Sequence, residues 1–256
     1  MEQAFSFRDT FKHRIAAVLA TPDRPTDCAV LLCHGFLSNK NSTTNKTLTR
    51  LLLDRGIATC RFDFFGQGES EGPFEHITLT TALDQAQSAL AHVRAQGFCR
   101  LGLMGSSFGG LVAVLLAAQQ SDLRALALKC PVMDFPETLR LEFGDERMAH
   151  WKQHNEIPNV LGGPRSVALQ YRLYEDCLAF DAYKAAASIQ APTLIVQGGC
   201  DELVPSHQSQ TLYDLLTGIK RLDILQGADH GFTKGEDFRT MTHSIAGWFT
   251  SHLADA

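Results

Sequence analysis

The chain has 256 residues, with 23 Lys and Arg against 28 Asp and Glu and a formal net charge of −5. This balance offers no basic field for phosphates, and the sequence has no run of five or more Lys or Arg, so nucleic acid is not expected as a partner. The length suits one large domain, 1–256, burying roughly three quarters of its unfolded surface.

In chain order, the start MEQAFSFRDTFKHR mixes acids and bases ahead of any apolar stretch, the wrong order for a secretory signal peptide. The mature chain is expected to begin here and to stay in the cytoplasm. SFRDTFKHRIAAVLATP reads as a pair of edge strands. Six near-continuously apolar runs follow as candidate strands: CAVLLCHG, IATCRFDFFG, CRLGLMGS, LRALALKCPV, TLIVQGG and RLDILQG. Such runs suit parallel strands covered on both faces. Between them, LTTALDQAQSALAHVRAQG has apolar residues at Leu79, Ala82, Leu83, Ala86, Leu90 and Val93, which is helical spacing, with Gly97 as its stop. LVAVLLAAQQ is apolar nearly all round and predicts an internal helix. The alternation predicts an α/β fold, a mostly parallel sheet with helical crossovers on both faces. The segment from about Phe135 to Gln190 breaks the rhythm, being charged, carrying Trp151 and tyrosines, and lacking a clear strand. It reads as a helical lid inserted over the sheet, lying over Ser107, in which Trp151, Tyr171, Tyr174 and Phe180 either line the acyl or alcohol pocket or pin the lid to the sheet.

The longest apolar run, Leu111 to Ala118, is less than half the roughly 20 residues that span a bilayer, so no membrane span is expected. The seven cysteines are scattered, with no Cys-x-x-Cys pair of the kind used by zinc sites or redox dithiols. They read as small hydrophobes rather than ligands or catalytic thiols, and no metal or cofactor is expected.

Gly105, Ser107 and Gly109 fit Gly-x-Ser-x-Gly, in which a serine sits on a strained strand-to-helix turn. The flanking runs CRLGLM and LVAVLLAA supply the strand and the helix, and the glycines let the two approach closely. Ser106 is the neighbouring alternative. A serine nucleophile needs a base and the base an orienting acid. GGCDELVP places Asp201 after the strand TLIVQ, and GADHGF places His230 after RLDILQ, so all three residues lie at carboxyl ends of strands, where open α/β sheets build their sites. Asp134 is the rival acid, and Asp229 adjoins the histidine too closely to reach round to it. The turn CHGF aims a backbone N–H of Phe36 into the site, and the N–H of Phe108, after the nucleophile, would be the second oxyanion donor. His34 reads as a shaper of that turn. RFDFFGQGES has Gly66 and Gly68 but glutamate at position 71, so it is not a dinucleotide fingerprint, and Asp63 and Ser70 read as turn shapers.

Together, HGFLSNKNS, RFDFFGQGES, GSSFGG, GGCDELVP and GADHGF resemble the α/β-hydrolase fold, and within it the small bacterial esterases related to cinnamoyl and feruloyl esterases. The resemblance runs from about Cys28 to the C-terminus. It implies Ser107, Asp201 and His230 as the triad, Phe36 and Phe108 as the oxyanion hole, and a small-molecule acyl ester as substrate. GSSFGG departs from relatives with His before the serine and Gln or Met after it, and is similar to the elbow of acyl-protein thioesterase-like hydrolases. A thioesterase, an aminopeptidase-like hydrolase and a non-catalytic binding protein on the same fold remain open. The oligomeric state has no signature in the sequence.

Overall fold

A computed structural model describes residues 1–158 and 165–253. Among the described residues, ten strands and eight α-helices follow in the order β1 (Glu2–Arg8), β2 (Arg14–Ala20), β3 (Cys28–Cys33), α1 (Thr43–Leu53), β4 (Ala58–Phe62), α2 (Leu79–Ala95), β5 (Arg100–Ser106), α3 (Phe108–Ala117), β6 (Ala125–Lys129), α4 (Phe135–His154), β7 (Glu156–Ile157), β8 (Val167–Ala168), α5 (Arg172–Cys177), α6 (Ala182–Ala186), β9 (Thr193–Gly198), α7 (Ser206–Leu215), β10 (Lys220–Leu225) and α8 (Gly235–Leu253). Eight strands form one sheet in the order β1-β2-β4-β3-β5-β6-β9-β10. The pairings β1–β2 and β2–β4 are antiparallel and the rest are parallel. The N-terminal pair is present, although only β1 is at the edge, with β2 lying between β1 and β4.

Strand periodicity divides the core between two helical layers. Along β3, Ala29, Leu31 and Cys33 face the layer that holds α2 and α3, while Cys28, Val30 and Leu32 face the layer that holds α1 and α8. Side chains alternate sides along a strand, so a run with no polar face must be covered twice. The run RLDILQG departs from this expectation. As β10 it is the last strand of the sheet, none of its residues is fully buried, and Ile224 is exposed.

The segment between β6 and β9 is mostly helical, as expected, with α4, α5 and α6. It also contains the two-residue antiparallel ladder β7–β8, too short to leave a period in the sequence. Residues 159–164 of the expected lid lie outside the described residues. α4 begins on Asp134, whose carboxylate accepts from the Glu137 N–H at 2.7 Å, and it kinks at Gly144 (φ 65°, ψ 172°). A positive φ is where glycine costs least, so the kink has a residue suited to it. No helix among the described residues is long and apolar enough to cross a membrane.

Candidate functional site

β5 runs directly into α3, and Ser107 is the single residue between them, with φ 52° and ψ −119°. A non-glycine residue at positive φ costs free energy that the surrounding structure must impose. The two glycines of the motif explain how the turn closes. A Cβ on Gly105 would run into the Gly109 backbone, and one on Gly109 would run into the carbonyls of Cys33 and His34 at the end of β3. The β5–α3 junction therefore packs backbone against backbone, and the Ser107 N–H is held by the Lys129 carbonyl at 2.9 Å.

Asp201 follows β9 and His230 follows β10, and the parallel register brings them together. His230 Nδ1 lies 3.0 Å from Oδ1 and 2.9 Å from Oδ2 of Asp201. Asp201 is otherwise fixed from several sides: Oδ1 accepts the N–H groups of Leu203 (3.0 Å) and Val204 (2.8 Å), and Oδ2 accepts Gln197 Nε2 (2.9 Å). Burial alone would raise its pKa, but the hydrogen bond and charge of His230, the Val204 N–H and the Cys130 thiol outweigh it and hold the carboxyl at about 2. A carboxylate so held is ionised and keeps the proton of His230 on Nδ1, leaving Nε2 free to accept. The rival acids are otherwise engaged. Asp134 caps α4, and Asp229 accepts from the N–H and hydroxyl of Thr233 in its own turn.

The loop after β3 carries Phe36. His34, fully enclosed at its base, lies with Nδ1 2.8 Å from the Gly35 carbonyl, and its Nε2 accepts the Phe64 N–H at 3.1 Å. Burial pulls its pKa down to about 4, against the carbonyl bond and the charge of Asp63. It is thus a neutral strut between two loops, in keeping with the turn-shaping role read from sequence. Asp63 does similar work, accepting the Lys40 N–H (2.6 Å), the Lys40 ammonium (2.5 Å) and the Glu69 N–H (2.8 Å), while Ser70 Oγ donates to its carbonyl (2.7 Å). Among the described residues no acceptor meets the Phe36 N–H, and Phe108, first in α3, has its N–H ahead of any intrahelical acceptor.

Ser107 and His230 line one cleft, which encloses about 980 Å³ of empty space open to solvent. Phe36, Val132, Phe135, Leu139, Leu203 and Val204 form its apolar wall, and Ser38, Ser42, Thr44, Ser106 and Lys129 a polar one. The aromatic residues that the sequence placed over Ser107 are not in this wall. Trp151 is fully buried, donates Nε1–H to the Leu169 carbonyl at 2.7 Å, and packs on Phe143, Tyr171 and Tyr174. Phe180 lines a separate depression with Asp134 and Arg140. The cleft instead takes Phe135, Thr138, Leu139 and Glu142 from the first turns of α4.

Three neighbours of the site escaped the sequence reading. Cys130 (φ 42°) directs its thiol to Asp201, and burial raises the thiol's pKa, so it donates as a neutral S–H. Gln197 bridges Asp201 and the Ser209 hydroxyl. Lys129 donates to the His230 carbonyl at 2.6 Å, with its ammonium 5.3 Å from the Phe232 ring centroid. All three are polar groups at the carboxyl ends of otherwise apolar strands, which is the signal that could have found them. Among the described residues, one His, Cys and carboxylate set is close enough to hold a metal ion: Cys130, Asp201 and His230, with ligand atoms within 4.8 Å. There the carboxylate already accepts from both partners.

Residues 24–160 match the family described as "Serine aminopeptidase, S33". A 31.7 kDa Escherichia coli protein from the traX-finO intergenic region is 23% identical over 260 residues, spanning 88% of this chain and 91% of that protein. The mitochondrial palmitoyl-protein thioesterase ABHD10 of Bos taurus is 22% identical over 221 residues, spanning 84% of this chain and 71% of that protein. Est1E from Butyrivibrio proteoclasticus, solved with ferulic acid bound, shares the fold with a TM-score of 0.86 at 22% identity, over 98% of this chain and 100% of that one. The family match covers more than half of the sequence, and this chain belongs to the serine aminopeptidase S33 family, with the α/β-hydrolase fold.

Proposed function

We propose that this protein is a serine hydrolase that cleaves carboxylic esters through an acyl-serine intermediate. The observation that carries the reading is the pairing of a positive-φ Ser107 between strand and helix with His230 in the same cleft, the imidazole being held at Nδ1 by an ionised Asp201. Ser107 Oγ attacks the ester carbonyl while His230 Nε2 takes the hydroxyl proton. The tetrahedral oxyanion is met by the N–H groups of Phe36 and Phe108. On collapse the C–O bond to the alcohol breaks and His230 returns the proton to the departing oxygen. A water then attacks the acyl-serine, His230 takes its proton, and the acid leaves as Ser107 regains its hydrogen. No cofactor or metal enters these steps. The segment from about 135 to 190 serves as a lid whose α4 shapes the acyl pocket, within a single domain acting on a small-molecule ester in the cytoplasm.

A thioester is the second substrate class, favoured by the resemblance to a palmitoyl-protein thioesterase and by the apolar wall of the cleft. An aminopeptidase needs carboxylates for the substrate's terminal ammonium. The cleft offers one glutamate, Glu142, exposed at its rim, against a buried lysine, and so does not favour that reading. A fluorophosphonate should label Ser107 stoichiometrically in folded protein, and kcat/KM on matched oxygen esters and thioesters ranks the two classes. Absence of labelling in folded protein would leave a binding protein on a hydrolase scaffold.

A further inference from the structure

Lys129 is only 6% exposed, yet it lines the cleft beside Ser107 and His230. Among the described residues its ammonium has a neutral carbonyl and an aromatic face as partners, and no carboxylate within 4.0 Å. A buried ammonium without a counter-charge is costly, and structural lysines in such positions are normally paired. A second polar group beside it is also unmatched. Ser106 pairs with Lys129 in the β5–β6 register, so their side chains stand on the same face of the sheet, and both line the cleft. Ser106 Oγ is buried with no hydrogen-bond partner. Around them the wall continues with hydroxyls from Ser38, Ser42 and Thr44. The carboxylates nearest the reacting residues are committed elsewhere. Asp201 is held by His230, and Glu202 accepts the His230 N–H at 3.1 Å. Glu142 belongs to α4, on the lid side, and is exposed.

We propose that Lys129 and Ser106 form an anion subsite that selects esters carrying a carboxylate near the scissile bond, the charged group taking the free donors of the ammonium and the Ser106 hydroxyl. This rests on the esterase reading and narrows it to amphipathic substrates: an apolar portion against Phe135, Leu139 and Val204, and an anionic portion against Lys129. The ammonium supplies what the cleft otherwise lacks, a fixed counter-charge in a partly dehydrated setting where it discriminates strongly.

The carboxylate could belong to the acyl chain or to the alcohol, and two substrate pairs separate these. One pair is p-nitrophenyl hexanoate against the mono-p-nitrophenyl ester of adipic acid. The other is phenyl butyrate against 4-carboxyphenyl butyrate. The readout is the charged-to-neutral ratio of kcat/KM in wild type, Lys129→Met and Ser106→Ala. Lys129 also ties down the His230 loop, so its loss lowers both rates by a common factor that the ratio cancels. The expected result is a ratio that falls about tenfold or more in Lys129→Met in one of the two pairs, and falls in the same pair in Ser106→Ala. Ratios unchanged from wild type in both pairs, with the neutral ester still cleaved, would overturn the subsite and leave the esterase standing, with Lys129 only a prop for the histidine loop. No hydrolysis of any of the four esters by wild type, together with no fluorophosphonate labelling, would overturn the esterase reading and the subsite with it.

Discussion

Asp201→Asn tests the site through two independent readouts, turnover and stability. The Asp201 carboxyl has an ordinary pKa of 3.8 and is held at about 2 in the folded protein. A pKa lowered on folding stabilises the native state above the unfolded value, and that stability is lost as pH falls through the folded value. With about 1.4 kcal/mol per unit, the carboxylate contributes about 2 kcal/mol at pH 5, of which about half is gone by pH 3. Asparagine keeps the size of the side chain but has no such titration, so the wild-type advantage in urea unfolding should shrink by about 1 kcal/mol between pH 5 and pH 3. In turnover, asparagine lets the imidazole carry its proton on the wrong nitrogen, and kcat should fall by about 10⁴. A stability difference constant across this pH window would refute the claim that the carboxylate is held ionised by His230 and its neighbours. A variant that keeps a tenth of wild-type kcat would remove Asp201 from the mechanism, and a larger loss in Asp134→Asn would move the acid to the end of β6.

Ser107→Ala should leave the fold intact and lower kcat by about 10⁴ or more, measured with any ester the wild type cleaves, and a tenth of the rate remaining would place the nucleophile elsewhere. Gly109→Ala should cost about 1–3 kcal/mol because the new methyl meets the Cys33 and His34 carbonyls, and a melting temperature equal to wild type would mean the junction is looser than its geometry requires. Leu139→Ala should reorder substrates by acyl size and also cost about 2–5 kcal/mol of stability, since the side chain borders the cleft beside Ser107 and is buried in the core, and an unchanged substrate order would take it out of the pocket wall. Trp151→Ala should lose about 3–5 kcal/mol of stability while keeping the substrate order, and a reordered panel would return Trp151 to the pocket.

How much could be read from the sequence alone follows from how local each constraint is. The elbow was legible because its chemistry is compressed into five residues between two apolar runs, and the structure supplies the steric reason for both glycines. Asp201 and His230 were legible by position, since parallel strands direct their carboxyl-end loops to one edge of the sheet whatever their separation in sequence. The pairing of Asp201 rather than Asp134 with His230 depends on neighbouring strands: β9 and β10 are adjacent, whereas Asp134 starts α4 and spends its carboxylate on a cap. RLDILQG misled because an apolar run does not say whether its strand is central or at the edge.

The cleft walls were the illegible part, for a reason visible in α4. Sequence position placed the lid over Ser107, and aromatic residues within it were the natural candidates for a pocket. A helix, however, has a face for the core and a face for the cavity, and large rings gain most from full burial. Trp151, Tyr171 and Tyr174 therefore pack with one another and fix the later part of the segment, while the first turns of α4, closest to the end of β6, present Phe135, Thr138, Leu139 and Glu142 to the cleft. Lys129 was hidden by the opposite effect: one charge at the end of ALALK looks like the end of a strand reaching solvent, and only the return of the His230 loop over it makes it a buried cation. Both cases turn on which chain segment closes over a residue from far along the sequence, so the lining of this cleft depends on long-range packing while the residues proposed for its chemistry come from short motifs at strand ends.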